Sequence, residues 1–166
     1  EIIMEKVMLF TSSSSTSSRK AVEWFQENGI EYIEHRVTPL NPLSREQVLK
    51  ILKTTLNGFS DVVSVSSKTF KLSGLTTDED GYIETTTDDL ISKIIETPKL
   101  LRFPIMIKGN NQVVGFRKDD ISVFTPQSIR QNEMASIIGP SYKHNGGMYR
   151  SIQKSISIDS QCRIVL

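Results

Sequence analysis

The feature that most constrains this chain lies in its first 37 residues, where two short apolar runs flank one amphipathic helical pattern. "KVMLF" is brief, apolar and followed by turn-forming residues, which reads as a buried strand. In "SSRKAVEWFQENG" the apolar residues Ala21, Trp24 and Phe25 recur at helical spacing, and Asn28-Gly29 supplies a stop. "IEYIEHRV" then alternates, with Ile30, Tyr32 or Ile33, and Val37 as the apolar set of a second strand. Strand, helix and strand this close together predict a parallel βαβ unit. The serine-rich stretch Thr11–Ser18 therefore falls between a strand and its own crossover helix. Connections there are short, so it reads as a loop of the fold and not as a linker between domains.

The rest of the chain continues in mixed style. "LSREQVLKILKTT" opens with Ser44 and has Gln47 three residues later, the spacing of a capping box, and Leu43, Val48, Ile51 and Leu52 form its inward face. Asn57-Gly58 is expected to end that helix, and "SDVVS" to add a shorter helical stretch. "TTDEDGYIETTTDD" is polar and turn-rich. Leu90, Ile91, Ile94 and Ile95 then make a helical stripe capped by Thr86 or Thr87 and limited by Pro98. "PIMIKGNNQVVGF" is a hairpin signal, and "RKDDISVFTP" a short helix with Asp119 and Asp120 in its first turn and Pro126 closing it. Parallel strands first and an antiparallel pair last predict an α/β fold with a mixed sheet. Beyond it, Gly139-Pro140 and Asn145-Gly146-Gly147 interrupt the chain and "SISIDSQCRIVL" alternates as a strand would, with no signal for where it docks.

Composition narrows the function classes. A chain of 166 residues with net charge +1, 37% hydrophobic and 23% charged, has the make-up of one ordinary soluble domain. Residues 1–126 carry 15 basic and 17 acidic side chains, and residues 127–166 carry five and two. Neither part holds a dense basic stripe, which argues against direct, high-affinity DNA binding. No apolar run approaches the roughly 20 residues that cross a bilayer, and "EIIMEKVMLF" has acids where a signal peptide has basic residues. A cytoplasmic protein without membrane contact is expected. The one cysteine, Cys162, allows no intrachain disulfide and no cysteine-based metal cluster. A calcium loop around Gly81 fails, because it puts Thr76 and Thr87 where carboxylates are required. His35 and His144 stand alone, Gly146-Gly147 lacks the lysine of a phosphate loop, and Trp24 with Phe25 reads as a core-facing pair. No metal or cofactor is expected.

Four separated segments carry a more specific likeness. "LFTSSSSTSSRKA" resembles the first loop of the Spx branch of the arsenate reductase family, whose pattern is T-S-P-S-C-T-S-C-R-K-A. "TLNGFSDVVSVSSKTF", "ETPKLLRFPIMI" and "QVVGFRKDDISVFTP" agree with that branch in order and spacing. The resemblance runs from about residue 6 to residue 126. It implies a thioredoxin-like fold over residues 1–126, with a mixed four-stranded sheet and an inserted helical lobe at about residues 41–97. It also implies a regulator, not an enzyme, that binds the C-terminal domain of the RNA polymerase α subunit, blocks some activators and redirects transcription. Residues 127–166 form an extension of unassigned role. A monomer is expected.

The departures from the family pattern carry chemistry. The branch's two cysteines fall on Ser15 and Ser18. A thiol at a helix N-terminus is acidified and attacks as thiolate, which a serine hydroxyl cannot imitate. The serines can still satisfy amides as N-cap residues and keep the loop's shape. The family arginine before the third-strand proline falls on Phe103, with Arg102 one residue earlier, and neighbouring side chains of extended chain point to opposite faces. Arsenate reduction is therefore excluded on this reading. By resemblance the Phe103-Pro104 bond is expected to be cis. Gly58, flanked by Asn57 and Phe59, falls on a family glycine of the α-subunit interface, where the lack of a side chain lets a partner approach. Lys68 matches a lysine associated with promoter DNA once polymerase is bound, while its basic neighbour falls on Ser66. DNA contact is thus expected only indirectly, within the polymerase complex. The competing reading is a thioredoxin-like reductase or transferase with an unfamiliar nucleophile, using the helix N-terminus as an anion site, or a degenerate arsenate reductase homologue.

Overall fold

The computed structural model describes residues 5–126. The expectations for residues 127–166, including the strand-like "SISIDSQCRIVL", Cys162 and His144, lie outside the described residues. The chain starts with β1 (Val7–Ser12), α1 (Thr16–Glu27) and β2 (Tyr32–Val37). It continues through α2 (Arg45–Lys53), a 3-10 turn Phe59–Asp61 and α3 (Lys68–Leu72). The strands β3 (Thr76–Thr77) and β4 (Ile83–Glu84) and helix α4 (Thr87–Glu96) follow. After a 3-10 turn Pro98–Leu100 come β5 (Ile105–Lys108), β6 (Asn111–Val114), α5 (Lys118–Ile121) and a last 3-10 turn Ser122–Phe124.

The sheet order is β2-β1-β5-β6. β1 pairs with β2 in parallel, in register from Val7–Tyr32 to Ser12–Val37, and β5 runs antiparallel to both β1 and β6. Alternation along the two central strands separates two cores. Val7 and Leu9 of β1 and Met106 of β5 join Ala21 and Phe25 of α1 and Ile121 and Phe124 near the end of the described chain. Phe10, Ile105 and Ile107 face the other way, onto Val48, Ile51 and Leu52 of α2, Phe70 of α3 and Leu90, Ile91 and Ile94 of α4. A strand buried on both faces must be apolar at every position, which is why "VMLF" and "PIMI" read as continuous runs. The helices between β2 and β5 thus cover one face of the sheet, and α1 with α5 the other.

Several boundaries differ from the sequence expectation for local reasons. Asn57-Gly58 does not end α2. The helix stops at Lys53, where the Thr54 hydroxyl donates to the carbonyls of Lys50 (2.9 Å) and Ile51 (3.1 Å) and the Thr55 hydroxyl to that of Leu52 (2.8 Å). Such local side-chain bonds satisfy the last carbonyls before the glycine is reached. Only Phe59–Asp61 of the "SDVVS" region is helical, as a 3-10 turn, and Val63 instead bridges Leu101. The polar stretch 76–84 folds back as the β3–β4 hairpin. Two-residue strands are too short to show any period. The capping box on α2 forms as its spacing predicts, with Ser44 Oγ accepting from Gln47 N and Gln47 Oε1 accepting from Ser44 N. Thr86, not Thr87, caps α4.

Candidate functional site

The serine loop closes over the N-terminus of α1. Ser15 is the N-cap, with extended backbone, and its Oγ accepts the amide of Ser18 at 3.1 Å. Ser18 sits three residues into the helix at 2% exposure, and its Oγ accepts the amide of Ser12 at 3.2 Å. The expected capping role thus holds for Ser15 alone; Ser18 satisfies an amide on the strand side of the loop. Ser12 N ends the apolar strand and would otherwise be an orphan donor in the turn. Further out, Arg19 donates to the Thr16 hydroxyl at 3.2 Å.

Across from the loop the Phe103-Pro104 bond is cis, as expected, and Ser15 Oγ lies 3.5 Å from the Phe103 carbonyl. Pro104 is buried, and its carbonyl accepts the amide of Gly115 at 2.8 Å. Phe103 packs against the helical-lobe core, while Arg102 is solvent-exposed, which matches the opposite-face argument. Ser15, Ser18, Phe103 and Pro104 are therefore one constellation, and the Arg102 side chain has no partner among the described residues. No carboxylate or imidazole bonds either serine hydroxyl among the described residues. Each Oγ accepts a backbone amide, and the Ser15 hydroxyl also donates to the Phe103 carbonyl.

Backbone bonds lead from this constellation to the second one. The amide of Arg102 donates to Val62 O at 2.8 Å, the amides of Val62 and Val63 donate to Phe59 O at 3.2 and 2.9 Å, and that of Asp61 to Gly58 O at 3.1 Å. The loop before this turn is clamped by Asp61, whose Oδ2 accepts the amides of Leu56 (3.0 Å) and Asn57 (2.8 Å). Asn57 is exposed, and Gly58 and Phe59 are half-buried at the surface. Gly58 has φ +103° and ψ −172°, a backbone region open essentially to glycine alone. It is the residue that opens the 3-10 turn, so the reading of Gly58 as a plain helix C-cap is overturned. Sequence reasoning missed Tyr82. Its ring lies 3.8 Å from where a Cβ on Gly58 would be. The available signal was an aromatic following the acidic run "DED" in "DEDGYIE".

Lys68 is the first residue of α3 and exposed, with no ion pair among the described residues; Ser66 beside it is exposed too. His35 is held at one ring nitrogen, while its buried Nε2 has no hydrogen-bond partner among the described residues. Its Nδ1 meets Gln47 Nε2 at 3.1 Å and its ring packs near Phe10 at 5.9 Å between centroids. Trp24 is half-buried and meets Phe25 edge-on at 5.3 Å. Among the described residues no group of His, Cys, Asp and Glu is placed to hold a metal ion, and no helix is long and apolar enough to cross a membrane.

A mixed β2-β1-β5-β6 sheet, a helix N-terminus after the first strand and a cis-proline facing that N-terminus together define a thioredoxin-like protein. The sequence pattern of the ArsC family matches residues 10–124. The chain belongs to that family. It is 38% identical to the global transcriptional regulator Spx of Streptococcus mutans over 128 residues, which is 77% of this chain and 89% of that protein. Identity to the global transcriptional regulator Spx of Streptococcus pneumoniae is 34%, again over 77% of this chain and 92% of that one. Among solved structures, the arsenate reductase from Vibrio cholerae superposes with a TM-score of 0.54 at 18% identity, covering 74% of this chain and 98% of its own. That last likeness speaks to the fold.

Proposed function

We propose that this chain is a transcriptional regulator that binds the C-terminal domain of the RNA polymerase α subunit and blocks or redirects activator-dependent transcription, without a thiol switch. The observation that carries the reading is the Asn57-Gly58-Phe59 loop, at the surface, clamped by Asp61, and presented in a conformation that needs glycine. Similarity of 34–38% to proteins named as Spx regulators supports the same reading. The serine loop keeps its form through bonds from backbone amides to the two hydroxyls, a structural use of these side chains that favours occupancy of a partner over turnover. Lys68 then reaches promoter DNA only inside the polymerase complex. The protein acts as a cytoplasmic monomer, and residues 127–166 are an extension beyond the docking domain.

Titration of the full chain with the purified α C-terminal domain is expected to give a one-to-one complex. Diamide leaves the affinity unchanged, because Ser15 and Ser18 cannot form a disulfide. Incubation with arsenate and glutathione yields no arsenite. Absence of binding at high micromolar concentration, or arsenite release above the uncatalysed rate, refutes the proposal.

A further inference from the structure

Two large apolar side chains stand in water next to Gly58. Leu56 is 86% exposed and Tyr82 58% exposed, and the Tyr82 ring lies against the Gly58 backbone. Single exposed apolar residues are ordinary. These two are different in that both lie beside Gly58, Leu56 two residues before it in the chain and Tyr82 through its ring, on segments that are each tied by hydrogen bonds. Asp61 clamps the amides of Leu56 and Asn57, and the hairpin tip is closed by three bonds. Asp78 N donates to Tyr82 O (2.9 Å), Gly81 N to Asp78 O (3.1 Å) and Tyr82 N to Asp78 Oδ1 (2.8 Å). A surface already ordered loses little freedom on binding, and tyrosine is a favoured anchor at interface centres.

The charge around the pair selects the partner. Residues 76–89 hold six acidic side chains and no basic one. Asp88 is neutralised by Arg45, whereas Glu79 and Asp80, adjacent in the turn before Tyr82, are exposed without an ion pair among the described residues. Nucleic acid and anionic lipid are repelled by such a rim. A second copy docking through the same patch would set acid against acid. What fits is a protein surface with an apolar spot bordered by lysine or arginine. We infer that Leu56, two residues before Gly58, and Tyr82, whose ring lies by Gly58, are the apolar anchors of one docking face, and that Glu79 and Asp80 match it to a basic rim on the polymerase α domain. The inference rests on the proposed function and names the parts of the surface that the sequence resemblance left out.

The test measures association and dissociation rates of the full chain with the α C-terminal domain at several salt concentrations. Tyr82→Ser and Leu56→Ser each weaken binding about tenfold or more, mostly through faster dissociation, whereas Tyr82→Phe stays close to the parent. Glu79→Gln with Asp80→Asn slows association several-fold at low salt, with the difference vanishing near 1 M salt. All four sites are on the surface, so unchanged thermal unfolding confirms intact folding. Full binding by Tyr82→Ser and Leu56→Ser, while Gly58→Arg fails to bind, overturns this inference and leaves the proposed function standing. No binding by the parent protein overturns both. Self-association that Tyr82→Ser abolishes would assign the face to a second copy of the chain and overturn the basic partner.

Discussion

Replacing Gly58 by alanine separates two roles that the resemblance merges. The residue's φ of +103° and ψ of −172° lie where an L side chain costs about 1–3 kcal/mol. A Cβ there would meet nothing closer than Tyr82 at 3.8 and 3.9 Å, which is ordinary contact, so no steric term is added. Gly58→Ala should therefore lower the unfolding free energy by about 2 kcal/mol, all of it from the backbone. Gly29 offers the comparison. It has φ +61° with nothing within 4 Å of its Cβ position, a left-handed site where the penalty is about 1–2 kcal/mol. Urea unfolding of the full chain, followed through the fluorescence of Trp24 packed on Phe25, reads both variants. A loss below about 0.5 kcal/mol for Gly58→Ala would show that the loop relaxes freely and would refute the claim that its shape requires glycine. The comparison also sharpens the binding test. Gly58→Ala and Gly58→Arg carry the same backbone strain, so only the further loss of affinity in Gly58→Arg measures obstruction of a partner.

The serine loop should respond unequally to truncation. Ser15→Ala removes the N-cap of α1 and is expected to cost about 1 kcal/mol. Ser18→Ala leaves the Ser12 amide without its acceptor in a site 2% exposed, at about 1–3 kcal/mol, and equal shifts of the urea midpoint for the two would contradict this ranking. On α2 the Glu46 carboxyl is held below its ordinary 4.5 by a hydrogen bond from its own backbone amide and then by the Ser44 hydroxyl. A carboxylate with a lowered folded pKa stabilises above its unfolded value and loses that contribution as pH falls through the folded one. The stability difference between the parent and Glu46→Gln should be small at neutral pH and close below pH 4.5, and a difference that grows with acid would reverse the sign of the argument.

What was legible in the sequence was whatever a repeating pattern or a cap announces. The apolar run Val7–Phe10, the stripe of Val48, Ile51 and Leu52, and the Ser44–Gln47 box all report burial or capping over a few residues, and the structure forms each of them. The end of α2 was misread because Asn57-Gly58 is a strong general stop signal, while Thr54 and Thr55 act through hydroxyl bonds that many non-terminal threonines also make. The β3–β4 hairpin escaped because two paired residues have no period. The candidate site divides along the same line. Ser15, Ser18, Phe103 and Pro104 were found by a motif, and their meeting across the sheet follows from β5 lying beside β1. Tyr82 was not, since its place beside Gly58 depends on how a hairpin 24 residues further along the chain leans on a loop.

The bond path from the serines to Gly58 gives the hydroxyls at positions 15 and 18 a specific consequence. Ser15 touches the Phe103 carbonyl, the neighbouring Arg102 amide holds Val62, and Val62 and Val63 hold the Phe59 turn that Gly58 opens. A covalent change at positions 15 and 18 would pull on the first residue of that path, since bridging the two side chains requires both to leave the amides they now accept. With hydroxyls no such change is available, and breaking either bond exposes an unsatisfied amide. A two-state element is what an oxidant would need to bias, and here one of the two states has no chemistry to reach it. If the Gly58 face docks as proposed, its affinity is then set by the fold alone, and the extent of regulation follows the amount of protein present and not the thiol balance around it.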